Sequence, residues 1–362
     1  MGLHMSAPTP ATIVNLQDHE ACARAVLDEA TWAYFSGGAA DEITLRRNTQ
    51  AWQDIALAPR VLQKLNGAHT RCTFLGRDWP TPLLVAPMAH QRWAHCDGEA
   101  ATALAAAAQG CGMVLSHQTS TDLHTVAHLT RADTGRGPLW FQLYNLPDRG
   151  AQRALLQEVQ AAGYEALVLT VDAPVQGARD RERRHPQTMP PRAHAVHWQA
   201  QTPTDTAGLC AGWATQAATW DDVAWLQSQT PLPLILKGIT HPLDAQQAAR
   251  LGVDGLIVSN HGGRTLDTLP ASATLLPRVA DAVQGDLPLL VDGGIRRGSD
   301  VFKALALGAR AVLIGRPVLY GLAHAGAQGV AHVLRLLRDE LEMTQTLCGC
   351  RTLEDISKGH LQ

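Results

Sequence analysis

From Leu83 onward the chain repeats one pattern, a short apolar run ending in polar or small residues and followed by a helix-like stretch or a longer loop. The runs are Leu83 to Met88, Met113 to Ser116, Leu139 to Tyr144, Ala166 to Asp172, Leu234 to Gly238, Gly255 to Asn260, Pro288 to Asp292 and Ala311 to Gly315. Strands that alternate with helices pair in parallel, because each crossover returns the chain to the same end of the sheet. About eight repeats of this kind predict a closed (β/α)8 barrel of the α/β class. The segments Glu99 to Ala108, Pro242 to Leu251 and Val301 to Leu307 have helical composition, and each runs into a glycine, as a helix C-terminus does.

The 362 residues are enough for one such barrel with its insertions, so residues 1–362 are read as a single domain. Residues 1–80 read as an N-terminal helical segment with irregular capping structure, and 81–345 as the barrel. Between the fourth and fifth runs the spacing breaks: 173–233 is rich in Pro, His, Arg, Thr and Trp and is read as an active-site lid inserted after strand 4. It has no apolar run of the kind a membrane anchor needs.

Composition narrows the function by exclusion. A net charge of −3, with no Lys/Arg cluster that stands out, leaves no electrostatic footprint for nucleic acid. No stretch approaches a membrane span and no signal peptide opens the chain, so the expectation is a cytoplasmic protein with no membrane partner. Residues Met1 to Ser6 match a myristoylation pattern formally, but a second methionine at Met5 reads as a cloning remnant. The seven cysteines are scattered, Cys210 among them, with Cys348-Gly-Cys350 the one close pair; the expectation is a reducing compartment and no metal site.

In barrels of this kind the chemistry sits at the C-terminal ends of the strands. The polar residues closing the runs are therefore site candidates: Ser116, Gln142, Tyr144, Thr170, Asp172, Lys237, Ser259, Asn260, His261, Asp292 and Arg316. In Ser259-Asn260-His261-Gly262-Gly263-Arg264, a histidine and an arginine share one glycine-rich turn, which can aim a base and a carboxylate-binding fork into one pocket. After the last two runs, Gly293-Gly294 with Arg296 and Gly315 with Arg316 offer close backbone approach and two guanidinium groups, the needs of a phosphorylated cofactor or substrate.

These motifs resemble the FMN-dependent 2-hydroxy-acid oxidase and dehydrogenase family, which includes glycolate oxidase, lactate oxidase, mandelate dehydrogenase and the flavin domain of flavocytochrome b2. The likeness covers nearly the whole chain, from Tyr34-Phe35-Ser36-Gly37-Gly38 and Ala58-Pro59-Arg60 through Ala86-Pro87-Met88-Ala89 and Phe141-Gln142-Leu143-Tyr144. It continues through Thr170-Val171-Asp172, Leu236-Lys237-Gly238 and the His261 turn to Asp292-Gly293-Gly294-Ile295-Arg296 and Ile314-Gly315-Arg316-Pro317. The resemblance implies FMN as cofactor and an (S)-2-hydroxy acid as substrate, with His261 taking the hydroxyl proton while the α-hydrogen moves to flavin N5. It implies that Asp172 stabilises the imidazolium, that Arg264 and Arg179 clamp the substrate carboxylate, and that Tyr34 and Tyr144 bind carboxylate and hydroxyl.

On the same resemblance, Lys237 sits by flavin N1 and O2, and Ser116, Gln142 and Thr170 hydrogen-bond the pyrimidine end. Pro87, Met88 and Ala89 lie along N5, with Ser259 also in the cofactor set. Asp292 contacts the ribityl chain, and Gly294, Arg296, Gly315 and Arg316 hold the phosphate. Three positions depart from the family: Gln118 stands where plant glycolate oxidases have a Trp lining the substrate cleft, Phe35 for a second Tyr, and Ala178 for an Arg beside Arg179. Ala89 is the residue type of the family's oxidases, which points to dioxygen as electron acceptor and hydrogen peroxide as product. A quinone or protein acceptor, and a related FMN enzyme acting on a modified peptide, are the alternatives. A homotetramer is the expected assembly.

Overall fold

A computed structural model describes residues 12–186 and 217–362 of the chain. The central part of the lid segment, together with Cys210 and the Met1 to Ser6 pattern, lies outside the described residues. No described helix is long and apolar enough to cross a membrane.

Eight parallel strands close into a barrel: β3 (Leu83–Val85), β4 (Gly112–Leu115), β5 (Leu139–Leu143), β6 (Leu167–Thr170), β7 (Leu234–Ile239), β8 (Gly255–Val258), β9 (Leu289–Asp292) and β10 (Ala311–Ile314), with β10 pairing back onto β3. Each falls inside, or within a residue of, one of the eight apolar runs. The predicted helices appear as Gly98–Ala108, Pro242–Leu251 and Gly298–Ala306. Pro242 opens its helix, where a missing N–H costs nothing, and Gly252 closes it in the left-handed conformation.

Side chains alternate between two environments along every strand. Leu84, Val114, Trp140, Val168, Ile235, Ile257, Leu290 and Leu313, one from each strand, form a single inner cluster that fills the barrel. Their neighbours, such as Leu83, Val85, Met113, Leu115, Phe141, Leu167 and Leu169, belong to the larger cluster between the strands and the helices. Burial on both faces is why the strands read as continuous apolar runs instead of an alternating pattern.

The N-terminal segment is helical, as expected, over α1 (Leu16–Val26), α2 (Glu29–Ser36) and α3 (Ile43–Gln53). It also contains an antiparallel hairpin that the sequence does not announce, β1 (Cys72–Phe74) and β2 (Arg77–Trp79). Phe74 and Trp79 join the inner cluster, and their rings lie 5.8 and 5.4 Å from that of Trp140. A Cβ on Gly255, the first residue of β8, would lie 3.6 Å from Phe74, so the hairpin plugs the N-terminal mouth of the barrel. The segment 173–233 is not wholly irregular: helix Asp180–Arg184 follows β6 closely, and helix Trp220–Gln229 precedes β7. Thr219 starts the latter with a capping box to Asp222, a local signal hidden by the polar composition around it.

Candidate active site

Two residues beyond each member of the inner apolar layer, the same inward-facing register continues at the C-terminal mouth as Ala86, Ser116, Gln142, Thr170, Lys237, Ser259, Asp292 and Gly315. The barrel thus changes from all-apolar to mostly polar in one pleat. Above this floor opens a cavity of about 610 Å³. Every candidate residue named from the sequence and the resemblance lines it, apart from Asp172, Ser259 and Asn260. Asp172 and Ser259 reach it through the lining residues His261 and Lys237, while Asn260 sits behind the His261 turn.

His261 sits on a tight turn after β8 with φ +57°, followed by Gly262 and Gly263, also left-handed. A left-handed non-glycine residue costs roughly 1–2 kcal/mol, so the surroundings must hold it there. A reciprocal amide pair does so: Asn48 of α3 donates to Asn260 and accepts from it at 2.9 and 2.8 Å, and Asn260 also accepts the Gly263 N–H. A Cβ on Gly263 would come within 2.7 Å of the Leu45 backbone nitrogen, so only glycine lets α3 pack against the turn.

The imidazole Nδ1 of His261 lies 3.0 Å from Asp172 Oδ1, leaving Nε2 for a substrate. Burial pushes the His261 pKa down, Asp172 opposes this, and Lys237 and Arg264 add to the fall, so the ring is a neutral base at neutral pH. For Asp172, burial favours the protonated acid, but the His261 partner and Lys237 outweigh it and hold the carboxyl below its usual range. Lys237 is fully enclosed, yet Asp292 at 3.3 Å and Asp172 keep its ammonium charged against the burial penalty. It also donates to Ser259 Oγ at 3.1 Å. Burial raises the pKa of both Tyr34 and Tyr144, which keeps their phenols as proton donors.

Arg264 and Arg316 have a structural task that sequence spacing does not reveal. Arg264 Nη1 donates to the carbonyls of Tyr34 and Gly37, and Arg316 donates to those of Phe35, Gly262 and Gly37 at 3.0, 3.0 and 2.7 Å. The C-terminal carbonyls of α2 have no helical partners, and two buried cations satisfy them and complement the negative end of the helix dipole. This docking carries Tyr34 into the cavity, where the Arg264 guanidinium lies 5.0 Å from its ring centroid. Arg316 commits three of its donors in this way, and a guanidinium has five.

Several described residues of the site escaped the sequence reading. Trp93 stacks on His90 at 4.4 Å and meets Tyr34 edge-on at 4.7 Å, giving the cavity an aromatic wall. Glu182, in the helix after β6, pairs with both Arg179 and Arg264. No motif marks either, because their significance comes from contacts between distant segments.

The floor leaves polar groups and bare backbone that a hydrogen-bonding ligand would satisfy. Gln142 Nε2 and Asp292 Oδ1 are buried without a hydrogen-bond partner among the described residues, an unfavourable state unless a ligand supplies one. Ser116 and the His117 N–H hold the other end of the Gln142 amide at 3.2 Å each, so the free end is aimed. At Gly294 a Cβ would collide with the Asn48 carbonyl at 2.1 Å, so the backbone after β9 stays bare beside Arg296.

Comparison with known proteins agrees with this geometry. The family model described as FMN-dependent dehydrogenase matches residues 23–362. An L-lactate oxidase of Nostoc sp. is 46% identical over 357 residues, covering 96% of this chain and 98% of its own. Glycolate oxidase 1 of Zea mays is 41% identical over 96% of this chain and 95% of its own. The crystal structure of mandelate oxidase with (S)-2-phenylpropionate superposes with a TM-score of 0.88 at 37% identity, over 97% of this chain and 98% of that one. With a model match over most of its length and relatives of this identity, the chain belongs to the FMN-dependent dehydrogenase family, with FMN as its cofactor.

Proposed function

We propose that the protein oxidises an (S)-2-hydroxy acid to the 2-oxo acid and is reoxidised by dioxygen, giving hydrogen peroxide. The observation that carries this reading is His261, backed by Asp172 at 3.0 Å, beside Arg264 and Arg179 in one cavity. Bound FMN supplies a two-electron acceptor there. Ser116, Gln142, Thr170, Lys237 and Ser259 would hold its ring, with Pro87, Met88 and Ala89 beside it. Asp292 would hold the ribityl chain, and Gly294, Arg296, Gly315 and Arg316 the phosphate.

The residues divide the work by charge. Arg264 and Arg179 bind the substrate carboxylate, and Tyr34 and Tyr144 donate hydrogen bonds to carboxylate and hydroxyl oxygens. His261 Nε2 then takes the hydroxyl proton. Asp172, 3.0 Å from Nδ1, stabilises the imidazolium that forms. Lys237 supplies the fixed positive charge that an acceptor gaining electrons requires. Gln118 lines the cavity and makes it wider and more polar on that side than a tryptophan would.

The relatives are named as oxidases of lactate and glycolate, and Ala89 lines the cavity, which supports dioxygen as acceptor. The proposal extends to a homotetramer in the cytoplasm; the six described cysteines are free, as a reducing compartment keeps them. The test is an anaerobic titration of the purified holoenzyme with (S)-lactate, glycolate and (S)-mandelate, followed by air. Fast bleaching and fast recolouring are expected. Bleaching with slow recolouring would replace dioxygen by a quinone or protein acceptor, and no bleaching would overturn the hydroxy-acid reading.

A further inference from the structure

Glu182 lies behind the two arginines as seen from the main cavity. It lines a smaller cavity of about 250 Å³ that also touches Arg179, and it is absent from the lining of the larger one. Its Oε1 accepts from Arg179 Nη1 and Arg264 Nη2, both at 3.1 Å, and its Oε2 lies 3.4 Å from Arg179 Nη1. All three side chains are largely buried, at 14 to 17% exposure, so their charges are weakly screened. The neighbouring charges of the same short helix are spent elsewhere: Arg181 pairs with Glu42, and Arg183 and Arg184 face the exposed Asp180.

We infer that Glu182 sets the carboxylate-binding end of the site to a net charge of +1, so that the enzyme takes 2-hydroxy monocarboxylates and rejects 2-hydroxy dicarboxylates. The inference rests on the reading of Arg179 and Arg264 as the carboxylate clamp. Two guanidinium groups less one carboxylate leave a single positive charge, which one substrate carboxylate cancels. During proton transfer the His261 imidazolium and Asp172 cancel separately. With Arg296 and Arg316 assigned to the cofactor phosphate, a second carboxylate on the substrate would find no countercharge at this end among the described residues, which is costly. Glu182 is thus a positioning residue that also fixes specificity, since the carboxylate that balances the arginines also orients both forks.

The test uses the FMN-loaded enzyme and two non-oxidisable acids of similar size, propionate and malonate, with binding read from the change in the flavin absorption spectrum. In Glu182→Gln the ratio of malonate to propionate affinity is expected to rise about tenfold, the scale of one charge several ångströms away in a partly buried site. The preference for tartronate over (S)-lactate in kcat/KM should rise with it, mainly through KM. Glu182→Asp keeps the charge but shortens the reach, so the ratio should stay at the wild-type value while both acids bind more weakly. Arg179→Gln moves the net charge the other way and should lower the ratio, which keeps the inference testable if Glu182→Gln folds poorly. An unchanged ratio in both Glu182→Gln and Arg179→Gln, with Arg264→Met losing both acids, would overturn the role of Glu182 alone. Unchanged binding in Arg264→Met would overturn the carboxylate clamp itself.

Discussion

The two mouths of the barrel are built by the same eight strands in the same inward register, yet they have opposite chemistry. At the N-terminal mouth Trp140 meets Phe74 and Trp79, and the opening is sealed. One pleat further along β5, at Gln142, the interior becomes polar, with a buried amide nitrogen left unpartnered among the described residues. The closed end gains from apolar burial and close packing. The open end gives up that stabilisation at Lys237, Asp292 and Gln142 to hold a charged, hydrogen-bonding ligand. Stability and chemistry are thus separated along the strand direction, and substitutions at the two ends should fail in different ways.

The largest kinetic effect is expected at the open end. His261→Gln should lower kcat by about a thousandfold, the middle of the range for loss of a general base, while FMN content and thermal stability stay near wild type. A variant that retains turnover would remove His261 from the mechanism. At the closed end Trp140→Ala should cost about 3–5 kcal/mol of stability, by denaturant titration, with kcat per folded holoenzyme within a few-fold of wild type. A large loss of kcat in that protein at full folding would mean that the two layers are not separable.

Lys237→Met leaves Asp292 without its partner and should weaken FMN binding about tenfold to a hundredfold, measured by fluorescence recovery on cofactor release. The pH dependence gives a finer comparison within the site. Because the His261 pKa lies below the ordinary 6.5, kcat/KM should be level at neutral pH and fall only as pH drops below that value. Asp172 opposes the depression, so Asp172→Asn should move this acid limb to lower pH while lowering kcat, as the imidazolium loses its counter-charge. A limb that moves to higher pH would contradict the pairing. The smallest effect belongs to the plug: Phe74→Leu keeps an apolar side chain and should cost about 1 kcal/mol with no kinetic change.

Much of this is legible in the sequence. The eight runs located the strands because a barrel strand is buried on both faces and must be apolar throughout. The polar residues that close those runs, Ser116, Gln142, Thr170, Lys237 and Asp292, named the floor of the cavity because the pleat continues past the end of the apolar layer. The hairpin at Phe74 and Trp79 was not legible, since two three-residue strands carry too little pattern to stand out from a loop. Helix Trp220–Gln229 was obscured by the long polar segment before it.

The sequence by itself determined the fold class, the cofactor chemistry and most of the residues that line the cavity, because these follow from local pattern repeated in a fixed order. Only the tertiary structure decided that Arg264 and Arg316 satisfy the end of α2, that Asn48 and Asn260 hold the His261 turn, and that Glu182 balances two arginines. Those contacts join residues far apart in the chain. A buried charge or amide acquires its role from the partner that folding brings to it, and no spacing along the chain records which partner that is.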